Sequence, residues 1–305
     1  MKVGYAVLYT DGTLVISKNH TILQKKFEID YGKFEDTLVP WENESNKIKR
    51  VQILNQVKST CMRKWFERCN NLTTLLDFQN LDVSDCTDFS SMFAFCESLK
   101  DINELKNLNV SNSRRFRGMF SHCKMLQNID ALKNWNVSNC LNFMEMFECT
   151  NIYNISALEN WNVSTAETFS YMFFDCESLE NIDGVTNWNV SNCKTFSHVF
   201  DNCISLENIS VLKNWKVSNG LKFSYMFDNC TSLKNTDALK NWDVSNGEEF
   251  CYMFSNCKSL QTISLPNTLT YLIFSVFFDC NESLKIHWKN HIYTYADLME
   301  YGKIF

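Results

Sequence analysis

The chain has 305 residues, of which 45% are hydrophobic and 21% charged, and its net charge is −6. This balance excludes a disordered chain, and the acidic sign disfavours a nucleic-acid binder that works through a broad basic surface. No run of 18 apolar residues occurs, so no membrane span is expected. Gly (8) and Pro (2) are scarce, whereas Asn (36) and Cys (14) are abundant. Something other than glycine must therefore make the turns.

At the N-terminus, an apolar run ends at Asp11-Gly12 and is followed by Leu14, Val15 and Ile16. Two strands around a tight turn are expected here rather than a cleaved leader. On that reading the chain is expected in the cytoplasm, with a cell surface or virion as the alternative. A polar stretch around Trp41-Glu42-Asn43-Glu44 completes an N-terminal cap over residues 1–57.

From there a repeat sets the fold. A W-x-V-S-N pattern places Val83, Val110, Val137, Val163, Val190, Val217 and Val244 at steps of 27, 27, 26, 27, 27 and 27. Six residues after each Val stands Phe: Phe89, Phe116, Phe143, Phe169, Phe196, Phe223 and Phe250. Pairs such as Met92-Phe93 and Met172-Phe173 follow. A cysteine column is read through Cys69, Cys96, Cys123, Cys149, Cys176, Cys203, Cys230 and Cys257, with the short step taken as a deletion just before Cys149. One such unit cannot bury its apolar face alone, so neighbours must stack as coils of a solenoid. Phe, Met, Phe and Cys at relative positions 0, 3, 4 and 7 predict one face of a short helix or helical turn. The Leu-x-x-Ile and Trp-x-Val parts predict strand pairing along the stack. Asn tolerates the left-handed region, and its amide bonds to nearby backbone or to the next Asn.

The unit SL-x-x-I-x-x-L-x-N-W-x-VSN-x-x-x-F-x-x-MF-x-x-C resembles the BspA-like leucine-rich repeat of surface proteins. The shorter last coil, Cys257 to Cys280, is similar to the 23-residue Treponema-type repeat of the same superfamily. The resemblance covers residues 58–286, and residues 1–57 more loosely resemble the strand-rich leader of such arrays. It implies a right-handed leucine-rich-repeat solenoid and a binding scaffold, often in adhesion to host proteins or cells, without a catalytic residue set. The expected fold class is thus an α+β repeat solenoid of 26–27-residue coils, with a 23-residue last coil and terminal caps. Residues 287–305 are expected as a strand and a short capping helix.

The cysteines are expected as reduced structural thiols. The main column is spaced by whole coils, with side chains pointing the same way, which is poor bridging geometry. In a second column Cys86, Cys140 and Cys193 alternate with Ser113, Ala166, Gly220 and Gly247, so the site demands smallness. Cys280, His287 and His291 have the spacing of a weak metal corner, read as structural. No G-x-S-x-G, Walker A or H-E-x-x-H pattern occurs, and no enzyme or cofactor is implied. Asn109, Asn136, Asn162 and Asn189 begin N-V-S, which would be glycosylation acceptors in a secreting eukaryote but are read here as turn residues.

Two irregularities are candidate partner-binding sites. Eight residues after the Val, Tyr171, His198, Tyr225 and Tyr252 are expected to form an exposed aromatic ladder, the alternative being copies made by repeat duplication. Arg114, Arg115 and Arg117 form a basic patch for an acidic partner or a phosphate, the alternative being a solvated face. The expected function is non-enzymatic recognition of a protein partner, with a glycan possible and no nucleic acid expected. Alternatives are an adhesin contacting host protein or glycan, an intracellular effector or inhibitor occluding an enzyme, and a self-assembling structural subunit.

Overall fold

The computed structural model describes residues 2–19, 29–35, 39–301 and 303–304. Parts of the expected caps, residues 1, 20–28, 36–38, 302 and 305, lie outside the described residues. Strands β1 (Lys2–Leu8) and β2 (Thr13–Ser17) form the hairpin that the Asp11-Gly12 turn predicts. Gly12 takes φ 84°, and the Asp11 carboxylate accepts the Thr13 amide at 2.9 Å. β3 (Ile29–Glu35) pairs antiparallel with β1. β4 (Arg50–Leu54) extends the sheet in parallel from β2, and β5 (Val57–Lys58) follows it. β6 (Thr74–Leu76) pairs parallel with β4, and β7 (Leu81–Asp82) with β5. The five-stranded sheet, ordered β3-β1-β2-β4-β6, thus runs from the cap into the first repeats and crosses residue 57.

The expected helical turn over Phe-Met-Phe-Cys does not form. The residues two and six places after each Phe take the left-handed conformation, as at Ser91 (φ 56°) and Phe95 (φ 62°), which ends any helix at once. Every second amide then points to the next repeat. Phe89, Ser91, Phe93 and Phe95 donate to the carbonyls of Arg115, Arg117, Met119 and Ser121 at 2.8–2.9 Å. The amides between them close tight turns, Met92 to the Phe89 carbonyl and Ala94 to that of Ser91. Positions 0, 3, 4 and 7 still face inward, and Phe89, Met92, Phe93 and Cys96 are fully buried. The burial pattern expected of a helix is thereby produced by a chain of turns. Among the described residues the α-helix is confined to the C-terminal cap.

Strand pairing takes the expected places at the two ends, with β6 and Thr262–Ser264 in Leu-x-x-Ile stretches and β7 in the Trp-x-Val place, and at one Asn154–Asn181 bridge. In the other repeats it falls elsewhere. A parallel ladder of single bridges runs just before each Phe, through Asp88, Arg115, Asn142, Thr168, Thr195, Lys222 and Glu249. The Leu-x-x-Ile stretch instead leads into a 3₁₀ turn in repeat after repeat, as at Asp130–Leu132, Ser156–Leu158 and Asp183–Val185. Here the tryptophans carry the bonding. Trp135, Trp161, Trp188, Trp215 and Trp242 each donate Nε1–H to a carbonyl of the preceding repeat (Leu105, Leu132, Leu158, Val185 and Leu212) at 2.9–3.1 Å. The repeat asparagines work likewise. Asn109, Asn136, Asn162 and Asn189 accept the amide two residues on, an Asx turn. Asn112, Asn139, Asn192, Asn219 and Asn246 reach the seryl carbonyl of the repeat before.

Between these two bonded faces lies one continuous apolar core. Phe93, Phe120, Phe147, Phe173, Phe200 and Phe227 stack with ring centroids 5.6–5.8 Å apart. The cysteine column adds a hydrogen bond, since Cys96, Cys123, Cys176, Cys203, Cys230 and Cys257 direct Sγ to a Phe carbonyl of the preceding repeat at 3.1–3.2 Å. Cys149 does not belong to that column. Thr150 fills the position, buried, with its hydroxyl on the Phe147 carbonyl at 2.7 Å and near Cys176 Sγ at 3.4 Å. The missing residue of the short step therefore follows Thr150, and Cys149 is turned outward. The second column does require smallness: a Cβ on Gly220 would meet Phe223 Cζ at 2.5 Å, and one on Gly247 would meet Phe250 Cζ at 2.3 Å.

At the far end, β8 (Thr262–Ser264) and β9 (Leu272–Ile273) precede β10 (Lys285–Trp288) and β11 (His291–Thr294). Helix α1 (Tyr295–Tyr301) and β12 (Lys303–Ile304) close the chain. β10 pairs parallel with β8 and antiparallel with β11, and β12 pairs with β9. The helix start is fixed by the Thr294 amide and hydroxyl on the Asp297 carboxylate, and Leu298 is buried in the core.

Two measurements check this packing. Phe196→Ala should lower the unfolding free energy by about 3–5 kcal/mol in urea titration, because the stacked rings on either side hold the cavity open. A near-neutral result would place the column outside the core. In thiol labelling without reductant, all 14 cysteines should react after denaturation. In the native protein, exposed Cys251 should react first and half-buried Cys61 and Cys149 later, while the buried ones stay silent. Thiols still blocked after denaturation would mean disulfides.

Candidate functional site

The left-handed residue two places after each Phe carries a side chain outward. In successive repeats this column reads Ser91, Gly118, Glu145, Tyr171, His198, Tyr225 and Tyr252, all with φ between 56° and 60°. Gly and small polar residues suit that conformation, whereas bulky rings are rare in it. Stacking offsets the strain. Tyr171 and His198 lie 4.2 Å apart between ring centroids, His198 and Tyr225 4.5 Å, and Tyr225 and Tyr252 5.0 Å, all within 16° of parallel. The expected ladder is thus one stack, but it is half-buried rather than exposed, because each ring covers its neighbour. The ring edges, not the faces, meet solvent.

A residue that the sequence reading passed over fixes the stack. Asp201, three residues after His198, is buried and shares a 2.7 Å hydrogen bond with His198 Nδ1. Burial pushes the Asp201 carboxyl above its ordinary range, against the lowering effect of that hydrogen bond. Burial also raises the Tyr171 hydroxyl, helped by the Asp201 charge, so this phenol stays a donor at neutral pH. The i, i+3 spacing of His and Asp was visible in the chain. It gained meaning only once the left-handed turn brought the two side chains to the same side.

The arginines lie on the same bonded face. Arg114, Arg115 and Arg117 are all exposed. Arg117 is not a free charge, for its Nε and Nη2 both donate to the Glu145 carboxylate at 3.2 Å. Glu145 is the column residue immediately before Tyr171, so the basic group and the aromatic stack are joined through it. Among the described residues Arg114 and Arg115 form no ion pair, and they carry the open positive charge. The corner of Cys280, His287 and His291 does not assemble. Cys280 turns inward and bonds the Phe254 carbonyl at 2.9 Å, while His287 and His291 sit on paired strands facing solvent.

The Asp201 carboxyl supplies a pH test. Its folded-state pKa lies above the ordinary aspartate value of 3.8, so folding favours the protonated form. Its contribution to stability therefore rises as pH falls from the raised value toward 3.8 and levels off below it. Against Asp201→Asn, which removes this titration, the wild type should gain relative stability over that window in urea titrations at stepped pH. Parallel profiles would contradict the shift.

A crystal structure of a leucine rich cell surface protein from Faecalibacterium prausnitzii is 15% identical, covers 95% of each chain and has a TM-score of 0.37. A leucine-rich repeat protein from Eubacterium ventriosum is 14% identical over 92% of this chain and 95% of that one, with a TM-score of 0.37. One from Bacteroides ovatus is 15% identical over 94% and 89%, with a TM-score of 0.29. The cytoplasmic expectation gains no support among them. No curated protein matches the chain. Residues 60–183 and again 170–287 match the family described as Mycoplasma protein of unknown function, DUF285, a BspA-like leucine-rich repeat family, and the chain belongs to it.

Proposed function

We propose that the chain is a non-enzymatic recognition scaffold, a continuous solenoid that binds a protein partner along its hydrogen-bonded face. The observation that carries this reading is the stack of Tyr171, His198, Tyr225 and Tyr252, four rings held outward at left-handed positions where small residues fit with less strain. Tyr and Arg supply large contact area and directional donors at interfaces. Arg114 and Arg115 extend the face with uncompensated positive charge, which suits a partner with an acidic edge. The stack is pre-ordered, so binding costs little side-chain entropy. Ring spacing supports an inward curve toward this face: 4.2–5.0 Å along the tyrosine column against 6.3–6.5 Å between the indoles of Trp188, Trp215 and Trp242. A cell-surface site of action is preferred here to a cytoplasmic one, in keeping with what the BspA-like resemblance implies.

The test compares the wild type with two variants in capture from surface and cytosolic fractions, followed by affinity measurement on the captured protein. One variant carries Tyr171→Asn, Tyr225→Asn and Tyr252→Asn, and the other Arg114→Glu and Arg115→Glu. Asn is chosen because it already holds left-handed positions at Asn202, Asn229 and Asn256. Binding should fall by about tenfold or more in the Tyr variant and should lose its salt dependence in the Arg variant. A partner retained equally by all three proteins would place recognition elsewhere.

A further inference from the structure

The residue six places after each Phe, and after Met62 in the first repeat, forms a second outward left-handed column: Arg68, Phe95, His122, Cys149, Asp175, Asn202, Asn229 and Asn256. At one end it is a cation–aromatic stack, with the Arg68 guanidinium 5.2 Å from the Phe95 centroid and His122 stacked on Phe95 at 4.4 Å. At the other it is an amide ladder, in which Asn202 bonds Asp175 and Asn229 bonds Asn202. His122 and Cys149 stand where the two meet. Cys149 is there because Thr150, not Cys149, occupies the core column of its repeat.

This displacement puts a thiol beside an imidazole and a carboxylate. Ligand atoms of His122, Glu148 and Cys149 all lie within 4.8 Å of one another, and all three residues are half-buried. Tetrahedral Zn²⁺ with N, O and S ligands at 2.0–2.3 Å sets its donors roughly 3.3–3.8 Å apart, so small side-chain rotations close the set. The backbone is already fixed: the His122 amide donates to the Glu148 carbonyl at 2.7 Å, and the Cys149 amide to the Phe174 carbonyl at 2.8 Å. Outer partners orient the ligands as metal sites require. Ser121 Oγ donates to Glu148 Oε2 at 2.7 Å, and Phe95 holds the imidazole plane. Glu145 and Asp175 add negative charge around the group. A cation would relieve that crowding.

We propose that His122, Glu148 and Cys149 bind one divalent cation of the zinc type, clasping two adjacent repeats and leaving a fourth position open to water or a ligand. The mixed imidazole, thiolate and carboxylate set selects zinc over calcium or magnesium, which take oxygen donors. On binding, the S–H bond breaks, sulfur keeps the electron pair and bonds the metal, and the proton leaves to solvent. This proposal does not rest on the tyrosine face as a binding surface and stands or falls separately from it.

The test uses the full chain, reduced and stripped with a chelator, and Co²⁺ as the optical probe. Titration should give a thiolate-to-cobalt band in the near ultraviolet that ends at one equivalent and is abolished by Zn²⁺. Cys149→Ser should remove the band, and His122→Gln and Glu148→Gln should weaken binding by about ten- to a hundredfold. Cys251→Ser, which alters the exposed thiol, should leave it intact. Zn²⁺ should raise the thermal midpoint of the wild type and not that of Cys149→Ser, whose metal-free midpoint reports that it folds. Absence of the band in the wild type, or its persistence in Cys149→Ser, would overturn the proposal.

Discussion

The alternation of amides between neighbouring repeat and tight turn governs this molecule. Each left-handed residue reverses the chain's local direction, and the amides at every second position, Phe89 through Phe95 in one repeat, are aimed at the next. Without the next repeat those donors would be left unpaired, at a cost of about 1–3 kcal/mol for each one buried. The same constraint explains why the array needs caps. Met62, Lys64, Phe66 and Arg68 begin the ladder at one end, and Tyr252, Phe254 and Asn256 end it at the other on the carbonyls of Ser275, Val276 and Phe278.

Bonding of this kind divides each repeat into inward and outward columns. Inward positions tolerate little: the Phe rings stack, the tryptophan indoles reach back to a carbonyl, and the small column admits nothing larger than Cys, Ser, Ala or Gly. Outward positions at the two left-handed sites are sterically demanding yet chemically open. That is where the chain varies: Ser91, Gly118, Glu145 and then four rings in one column, and Phe95, His122, Cys149, Asp175 and then Asn in the other. Variation on a fixed backbone is how a repeat scaffold acquires a specific surface.

The period, the buried columns and the terminal strands could be read directly, because burial at a fixed spacing repeats itself in the residues. The aromatic column was also found from its spacing. The helix assignment failed for an identifiable reason: positions 0, 3, 4 and 7 are what a helix buries, and a run of turns with two left-handed residues buries the same set. The cysteine column failed at Cys149 because Thr150 fills the buried position there, with its hydroxyl on the Phe147 carbonyl of its own repeat, whereas the thiols reach a Phe carbonyl of the preceding one. Asp201 and the group around His122 went unnoticed, since their partners come together only through the turn and across repeats.

Composition and periodicity alone established a stacked array of repeats with Asn in place of Gly at its turns, since one repeat's apolar face has no other means of burial; the leucine-rich-repeat class came from the resemblance of the repeat unit. Tertiary structure decided which way each outward side chain points, how the rings of Tyr171 to Tyr252 cover one another, and that Arg117 is paired with Glu145 while Arg114 and Arg115 form no ion pair among the described residues. The physical reason is that these contacts link residues on different repeats. Their geometry depends on the backbone conformation of the turn, which many sequences share, and on the spacing between repeats, which the hydrogen-bonded ladder sets.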